Sequence, residues 1–370
     1  MFSFIHISDL HIGRKLNSYD LLADQKYALG QIVRFVEDLR PDAVLIAGDV
    51  FDRINPSEEA TALLGSFLEE LQAGPAEVFV IAGNHDPVEK LSFLSGVVDK
   101  AGLHIVTAFH GVLEKRAVGD ADIYMLPFIR TVDVRPFFPE EEIASVGDAV
   151  RLALSTATLD RGRTNVLIAH QSVLGAVNGG SEDVVIGGES PISSSLFSDF
   201  DYVALGHIHR AQCVGLSQIR YSGSMLKYSL SEKEDKVALY GKIADDGRLE
   251  VEELRLKSLH DVVTVRGLFS EVMAGESSQD YVHVVLTDER DVPDAQASLA
   301  RKFPLLLSME YDNGRTRASS LDLPLGPAPE ERSPQDYFKE LFEMMSGHSL
   351  DEEQSAVLED AVSQVWRDRP

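Results

Sequence analysis

The sequence is poor in cysteine and has no long apolar run. Cys213 is the only cysteine among 370 residues, so no intrachain disulfide can form and no cysteine-rich zinc site can be built. No stretch reaches the roughly 20 apolar residues that cross a bilayer, and the first residues lack the basic start of a signal peptide. We therefore expect a cytoplasmic, globular protein that neither enters a membrane nor is exported.

Basic residues are scarce as well. The chain has 34 Lys and Arg against 60 Asp and Glu, which gives a formal net charge of −26. This balance has the wrong sign for a protein that holds nucleic acid by neutralising phosphates with its own side chains. It does not exclude a phosphate substrate, because bound divalent ions or a partner subunit could supply positive charge.

Short apolar runs alternate with segments of helical period up to about residue 256, which is typical of a layered α/β domain. The predicted core strands are residues 2–8, 43–47, 78–82, 166–169 and 202–205, and the predicted covering helices are residues 20–39 and 57–72. Each strand ends in a polar turn. We expect these turns to lie along one sheet edge, where α/β proteins bind their ligands.

The pattern changes after residue 258. Strands are predicted at residues 262–266, 282–286 and 305–311, with a helix at 293–302, and together they indicate a small α/β domain at residues 259–325. Residues 326–332 are predicted to be a proline-rich linker that follows the globular part of the chain. Residues 333–370 carry two amphipathic helical stripes, which either pack on their own domain or dock on a partner.

Side chains of the types that can bind metal ions follow all five predicted core strands. They are Asp9 and His11, Asp49 with Asp52, Asn84 with His85, His170, and His207 with His209. Each pair alone is weak evidence, because such residues often cap turns or face water. Together they indicate ions, since buried carboxylates and imidazoles are costly without them. Oxygen and nitrogen donors without thiolate suit Mn, Fe or Zn, and a carboxylate bridging two ions about 3.5–4 Å apart suits phosphate ester hydrolysis.

In order and type, these residues resemble the motifs of the calcineurin-like metallophosphoesterase family. The match comprises Asp9-x-His11, Gly48-Asp49-x-x-Asp52, Gly83-Asn84-His85-Asp86, His170 and Gly206-His207-x-His209. The resemblance implies a β-sandwich flanked by helices at residues 1–258. It also implies one ion held by Asp9, His11 and His209, a second held by Asn84, His170 and His207, and Asp49 as the bridge. His85 is implied to protonate the leaving oxygen or to steady the scissile phosphate, and Asp52 is implied to orient His85.

Residues 7–13, 180–188 and 221–232 are similar to the SbcD-type nuclease subunits within that family. This resemblance implies two-metal hydrolysis of DNA, with Mn²⁺ as the working metal, by 3′-to-5′ exonuclease action on double strands and endonuclease action on hairpins or single strands. It implies that residues 259–325 form a capping domain and that residues 333–370 bind an SbcC-type ATPase subunit. A homodimer within a heterotetramer is expected.

Two alternatives remain open. A phosphatase or cyclic-nucleotide phosphodiesterase can use the same metal core, since a fold does not define a substrate. The predicted cap and tail helices argue against that function. A scaffold that kept the fold and lost catalysis is the second alternative, although such proteins usually lack ligands and every ligand position is filled here.

Overall fold

The computed structural model describes residues 1–313 except 94 and 183–189, and of residues 314–370 only 316, 338–339, 342, 350–351, 354–355 and 357–358. The chain divides into two compact units, Met1–Asn313 and Gly314–Pro370. The predicted linker at residues 326–332 lies outside the described residues, as do most positions of the predicted tail helices. No helix in the described part of the chain is long and apolar enough to span a bilayer.

The secondary structure of the first unit alternates strands and helices. The strands are β1 (Phe2–Ile7), β2 (Lys15–Leu16), β3 (Tyr19–Asp20), β4 (Ala43–Ala47), β5 (Glu77–Ile81), β6 (Leu103–Val106), β7 (Glu114–Val118), β8 (Ala121–Leu126), β9 (Thr164–His170), β10 (Tyr202–Gly206), β11 (Gln212–Val214), β12 (Leu216–Tyr221), β13 (Lys236–Ile243), β14 (Leu249–Leu256), β15 (Val262–Gly267), β16 (Tyr281–Leu286) and β17 (Leu306–Tyr311). The helices are α1 (Leu22–Leu39), α2 (Glu58–Gln72), α3 (Val88–Ser92), α4 (Ser95–Val98), α5 (Thr131–Val134), α6 (Val146–Ser155), α7 (Phe269–Ala274) and α8 (Ala295–Lys302).

Two six-stranded sheets form a β-sandwich, which confirms the predicted fold. Their strand orders are β14-β13-β1-β4-β5-β6 and β11-β12-β10-β9-β8-β7. The inner faces meet in one apolar cluster, in which the rings of Phe4 and Tyr202 lie 4.4 Å apart. The expectation of a single sheet edge is wrong, because β1, β4 and β5 belong to the first sheet while β9 and β10 belong to the second. A buried strand is an apolar run whichever sheet it belongs to, so the runs do not show which strands share a sheet.

Helices cover the outer faces of the sandwich. Helices α1 and α2 contribute Leu29, Ile32 and Phe67 to the cluster over the first sheet, and α6 packs against the second sheet. Helix α1 begins two residues later than predicted, because Asp20 pairs with Lys15 in the β2–β3 hairpin. Helix α2 begins one residue later than predicted, because Ser57 is its N-cap: the Ser57 hydroxyl accepts a hydrogen bond from the N–H of Ala60 (3.2 Å).

A three-stranded parallel sheet, β15-β16-β17, follows the sandwich. Its strands and α8 lie within two residues of the predicted positions, and α7 is an addition that the sequence did not predict. The sheet contacts the sandwich through the buried carboxylate of Asp24, which accepts hydrogen bonds from the Tyr281 hydroxyl and the His260 N–H, both 3.0 Å away. The boundary between residues 258 and 259 stays a prediction.

In the second unit, Asp351 and Gln354 exchange hydrogen bonds. The N–H of Gln354 donates to Asp351 Oδ1 (2.8 Å), and the N–H of Asp351 donates to Gln354 Oε1 (3.1 Å). Such a reciprocal pair is typical of a helix N-terminus.

Candidate metal centre

The loops that follow β1, β4, β5, β9 and β10 meet at one end of the sandwich. The N–H groups of Asp9 and His11 donate to the carbonyls of Gly48 (3.0 Å) and Asp49 (2.9 Å), which joins the first two loops. The second sheet is attached by the N–H of His207, which donates to Asp9 Oδ1 (2.9 Å). These bonds bring the predicted ligands of both sheets together.

Four of the predicted ligands have a backbone conformation that favours glycine. The φ angles are 52° for Asp9, 43° for His11, 50° for Asp49 and 104° for His207. A positive φ in a residue with a side chain costs about 1–3 kcal/mol and persists where the surroundings enforce it, often at functional sites. The strain therefore coincides with the cluster that the sequence nominated.

The first group of donors comprises Asp9, His11 and His209, which offer ligand atoms within 4.8 Å of one another. His11 Nε2 and His209 Nε2 lie only 3.0 Å apart. Among the described residues, His11 Nδ1 is the one buried side-chain polar atom without a hydrogen-bond partner. Two imidazole nitrogens facing each other beside a carboxylate fit a shared cation, because an ion would accept the lone pairs of both.

The second group lies around Asn84. Its Oδ1 is 3.1 Å from His170 Nε2 and 3.0 Å from His207 Nδ1. His170 Nδ1 donates to the carbonyl of Ala47 (2.8 Å), so in the neutral ring the lone pair is on Nε2, which faces the amide oxygen. An amide oxygen that faces an imidazole lone pair also fits a cation between them.

Asp49 lies between the two groups. Its Oδ2 is 3.7 Å from His11 Nε2 and 3.4 Å from His170 Nε2, and its Oδ1 accepts a hydrogen bond from the N–H of His85 (2.9 Å). The structure thus brings together all seven residues predicted as ligands. One carboxylate oxygen within reach of both groups is the geometry expected of a bridge.

The electrostatics of the centre follow from its burial. Burial raises the pKa of Asp9 to about 7 and lowers the pKa values of His11 to about 3 and of His207 to about 4. Burial opposes the charge on His170 too, but Asp49 outweighs it and raises the pKa of His170 to about 9. In turn His170 holds the pKa of Asp49 below its usual range despite burial. Negative charge on Asp49 thus depends on a neighbouring cation, a role that a metal ion can fill.

His85 and Asp52, the residues predicted to be catalytic, lie beside Asp49. His85 Nδ1 is 3.3 Å from the main-chain carbonyl of Asp52, and His85 Nε2 is 3.9 Å from Asp49 Oδ2. The carboxylate of Asp52 is directed elsewhere: it accepts a hydrogen bond from Arg14 (3.2 Å) and lies 3.7 Å from His11 Nδ1. Asp52 therefore contacts His85 through its backbone. The catalytic roles of both residues stay predictions.

Asp86 holds two of the loops in place. Its carboxylate accepts hydrogen bonds from the N–H groups of Val50 (3.2 Å), Phe51 (2.8 Å) and Gly83 (2.8 Å), which links the turn after β4 to the turn after β5. Burial and then the charge of Asp49 raise the pKa of Asp86 to about 6. The sequence placed Asp86 in a motif without a role, because spacing alone does not separate a ligand from a carboxylate that binds backbone.

Gln25 supports the loop that carries His11. Its side-chain amide donates to the carbonyl of His11 (2.7 Å) and accepts from the N–H of Gly13 (2.9 Å). The hydroxyl of Tyr228 donates to the carbonyl of Leu10 in the same loop (2.5 Å). Neither residue was predicted from the sequence. A glutamine on the apolar face of a predicted helix was the one available signal for Gln25, since a buried amide needs polar partners.

Comparisons with known proteins agree with this geometry. The sequence model of the calcineurin-like phosphoesterases matches residues 2–211, and a second one, described as the Type 5 capsule protein repressor C-terminal domain (SbcD_C), matches residues 258–346. The SbcD subunit of the SbcCD nuclease of Staphylococcus epidermidis is 30% identical over 314 residues, which cover 82% of this chain and 84% of that protein.

Two solved structures are similar over most of their own lengths. A dimetal phosphatase from Danio rerio aligns over 70% of this chain and 99% of its own, with 13% identity and a TM-score of 0.41. The protein TT1561 of Thermus thermophilus aligns over 68% of this chain and 98% of its own, with 11% identity and a TM-score of 0.38.

Proposed function

Because the chain belongs to the calcineurin-like phosphoesterase family and is of the SbcD nuclease type, we propose that it is the nuclease subunit of a DNA end-processing complex. Membership of the family indicates that the chain hydrolyses phosphodiester bonds with divalent metal ions. The observation that supports the hydrolytic chemistry is the convergence of carboxylate, amide and imidazole donors from two sheets on Asp49. The similarity to an SbcD subunit is what directs that chemistry to DNA.

We assign the ligands to two ions. Asp9, His11 and His209 would hold the first ion, and Asn84, His170 and His207 would hold the second. Asp49 would serve both, which its distances to the nearest imidazole of each group support. Two bound ions would supply the positive charge that stabilises phosphoryl oxygens and activates water. Mn²⁺ is the proposed metal because the resemblance to SbcD-type nucleases implies it; the donor set of oxygen and nitrogen without thiolate is compatible with Mn, Fe or Zn.

His85 is assigned the transfer of a proton to the departing sugar oxygen. Its N–H is anchored by Asp49 Oδ1, and its ring is oriented by the main-chain carbonyl of Asp52. Nε2, 3.9 Å from Asp49 Oδ2, would then be the atom that transfers the proton. The carboxylate of Asp52 contacts other residues: it accepts a hydrogen bond from Arg14 and lies 3.7 Å from His11 Nδ1.

The proposed substrate is DNA, cut by 3′-to-5′ exonuclease action on double strands and by endonuclease action on hairpins or single strands. The support is the similarity to the SbcD protein of Staphylococcus epidermidis together with the matched C-terminal domain. An SbcC-type ATPase subunit would bind residues 333–370 and share in holding DNA, within a cytoplasmic heterotetramer that contains two copies of this chain. Shared binding would reconcile a DNA substrate with the net charge of −26.

Activity on two substrates tests the assignment. We expect the wild type with Mn²⁺ to cleave a hairpin-ended duplex and a small aryl phosphodiester. Asp9→Asn should lose both activities and one bound ion. His85→Gln should keep both ions and lose far more activity on DNA than on the aryl ester, because an aryl leaving group needs little protonation. Asp38→Asn, on the exposed face of α1, is the matched control for the loss of a carboxylate.

Each alternative has its own outcome in this experiment. Intact DNA with and without the ATPase subunit, combined with cleavage of the aryl ester, would make the protein a phosphatase or small-molecule phosphodiesterase. A wild type that binds two ions and cleaves neither substrate would be a scaffold.

Truncation after residue 322 tests the partner assignment. We expect the shortened chain to retain turnover of the aryl ester and to lose co-purification with the ATPase subunit. Co-purification at the wild-type level would contradict the assignment of residues 333–370.

A further inference from the structure

His209 is held from two sides by consecutive residues of one loop. The hydroxyl oxygen of Ser181 lies 2.5 Å from His209 Nδ1, and Glu182 Oε1 accepts a hydrogen bond from the N–H of His209 (2.8 Å). One neighbour controls the ring and the other controls the backbone. Neither residue follows a strand end.

Ser181 is itself backed by a buried ion pair. Its hydroxyl contacts the carboxylate of Glu232, which is 3% exposed and is paired with Lys236. The ammonium of Lys236 also donates to the carbonyl of His209 (2.9 Å) and to the Ser224 hydroxyl (2.9 Å). A buried charge pair whose other donors and acceptors are also hydrogen-bonded is a rigid support for the Ser181 hydroxyl, which lies between the pair and the imidazole.

The directions of these hydrogen bonds are determined by chemistry. A carboxylate that faces an ammonium only accepts, so the Ser181 O–H donates to Glu232. The lone pair of Ser181 Oγ then accepts from His209 Nδ1–H. His209 Nε2 is left with its lone pair directed at the first ion site, 3.0 Å from His11 Nε2. The hydrogen bonds that run from Glu232 through Ser181 to His209 thus select the tautomer of His209 that can bind a metal ion.

Glycines allow the loop to come this close. A Cβ at Gly179 would lie 3.2 Å from His209 Cβ, and a Cβ at Gly180 would overlap Ser231 Oγ. Gly180 also has a φ of +109°, which disfavours any side chain. The N–H groups of both glycines donate to Glu182, at 2.6 and 2.7 Å.

The second ion site is supported in a different way. His170 Nδ1 donates to the main-chain carbonyl of Ala47, and this acceptor does not depend on a side chain. We infer that Ser181, backed by Glu232, is a positioning residue for His209, and that binding of the first ion depends on it while binding of the second ion does not. This inference rests on the two-ion function proposed above.

Calorimetric titration of the full-length, metal-free protein with Mn²⁺, combined with a count of bound ions, tests the inference. The wild type should bind two ions. Ser181→Ala should weaken one of them by about 10–100-fold, the effect typical of losing the group that orients a metal-bound histidine, and leave the other unchanged. Ser181→Thr retains the hydroxyl and should restore most of the affinity. Ser231→Ala is the matched control, because its hydroxyl contacts the same loop at Gly180 and not His209.

A second variant guards against loss of folding. Glu232→Met removes the acceptor of the Ser181 hydroxyl at similar side-chain length, and its melting temperature in chelator reports whether the fold survives the loss of the carboxylate that pairs with Lys236. With the fold intact, the same single ion should be weakened. Unchanged affinity for both ions in Ser181→Ala, or an equal loss at both, would overturn the inference and leave the proposed function standing. A wild type that binds fewer than two ions would overturn both.

Discussion

Gly48 lies where the backbone favours glycine and where a side chain has no room. Its φ is +86°, and a Cβ there would lie 2.5 Å from His170 Nδ1 and 2.9 Å from the nitrogen of Gly83. The ring of His170 would have to move, which would break its 2.8 Å hydrogen bond to Ala47 and turn Nε2 away from Asn84. We predict that Gly48→Ala weakens both the fold and the second ion site.

The two contributions can be separated with a matched glycine. A left-handed conformation costs alanine about 1–2 kcal/mol, and crowding in a packed site adds about 1–3 kcal/mol. Gly247 has a φ of +82° and nothing within 4 Å of the added Cβ, so Gly247→Ala carries only the backbone cost. Gly48→Ala should therefore lower the free energy of unfolding by about 1–3 kcal/mol more than Gly247→Ala does.

Urea unfolding in chelator measures both variants without a contribution from metal binding, and a count of bound Mn²⁺ then reports the site. We expect Gly247→Ala to keep two ions and Gly48→Ala to lose the one near His170. Equal destabilisation by the two substitutions, with both ions retained, would refute the reasoning from packing.

Three further predictions follow from other contacts. Asp86→Asn leaves one oxygen for three N–H groups and should lower the free energy of unfolding in urea by about 1–3 kcal/mol. Burial opposes the charge of Asp122, but hydrogen bonds from Lys115 and Arg163 hold its pKa below the usual 3.8. The stability advantage of the wild type over Asp122→Asn should therefore be full above that value and disappear as the pH falls through the lower pKa of the folded protein, as urea unfolding at neutral and acid pH would show. Mn²⁺ at about 100 times its Kd should raise the free energy of unfolding by about 2.7 kcal/mol for each site. Calorimetric melting in chelator should show that this stabilisation is lost.

The position of the ligands could be predicted because a strand end leaves little freedom. Each apolar run ends where its strand leaves its sheet, so Asp9 and Asn84, which follow parallel strands of one sheet, were predictable as neighbours. The position of His170 at the same end of the molecule depends on how the second sheet packs on the first. The division into two sheets was not predictable from the runs. Helix α7 also escaped prediction, because Val272 is its only buried residue and six residues are too few for a period.

The supports of the ligands could not be predicted for a different reason. Ser181 and Glu232 lie outside helices and strands, and 51 residues separate them along the chain. Serine and glutamate in loops are usually solvated, so neither spacing nor residue type marks them. Asp52 shows a related limit. Its place in the turn was predictable, but the choice of its carbonyl over its carboxylate as the partner of His85 depends on the backbone geometry.

The charge of the chain bears on how DNA would be held. Arg14 and Arg53, which follow two of the metal motifs in the sequence, share one carboxylate, since they lie 3.2 and 3.3 Å from oxygens of Asp52. Arg14 also donates to the carbonyl of Ser181 (3.1 Å) and lies over the ring of Tyr228, 5.1 Å from its centre. Arg14 thus serves the structure of the site and is poorly placed to neutralise a phosphate.

Few phosphate contacts by the nuclease subunit imply a weak dependence of its DNA affinity on salt. Each phosphate neutralised by a protein cation contributes about 0.9 to the slope of log K against log salt. We expect a slope of roughly −2 or shallower for this chain alone, and a much steeper one when the ATPase subunit is present. Fluorescence anisotropy with a labelled duplex, in Ca²⁺ to prevent cleavage, measures both. A steep slope for the isolated chain would mean that its own basic residues hold DNA despite the net charge of −26.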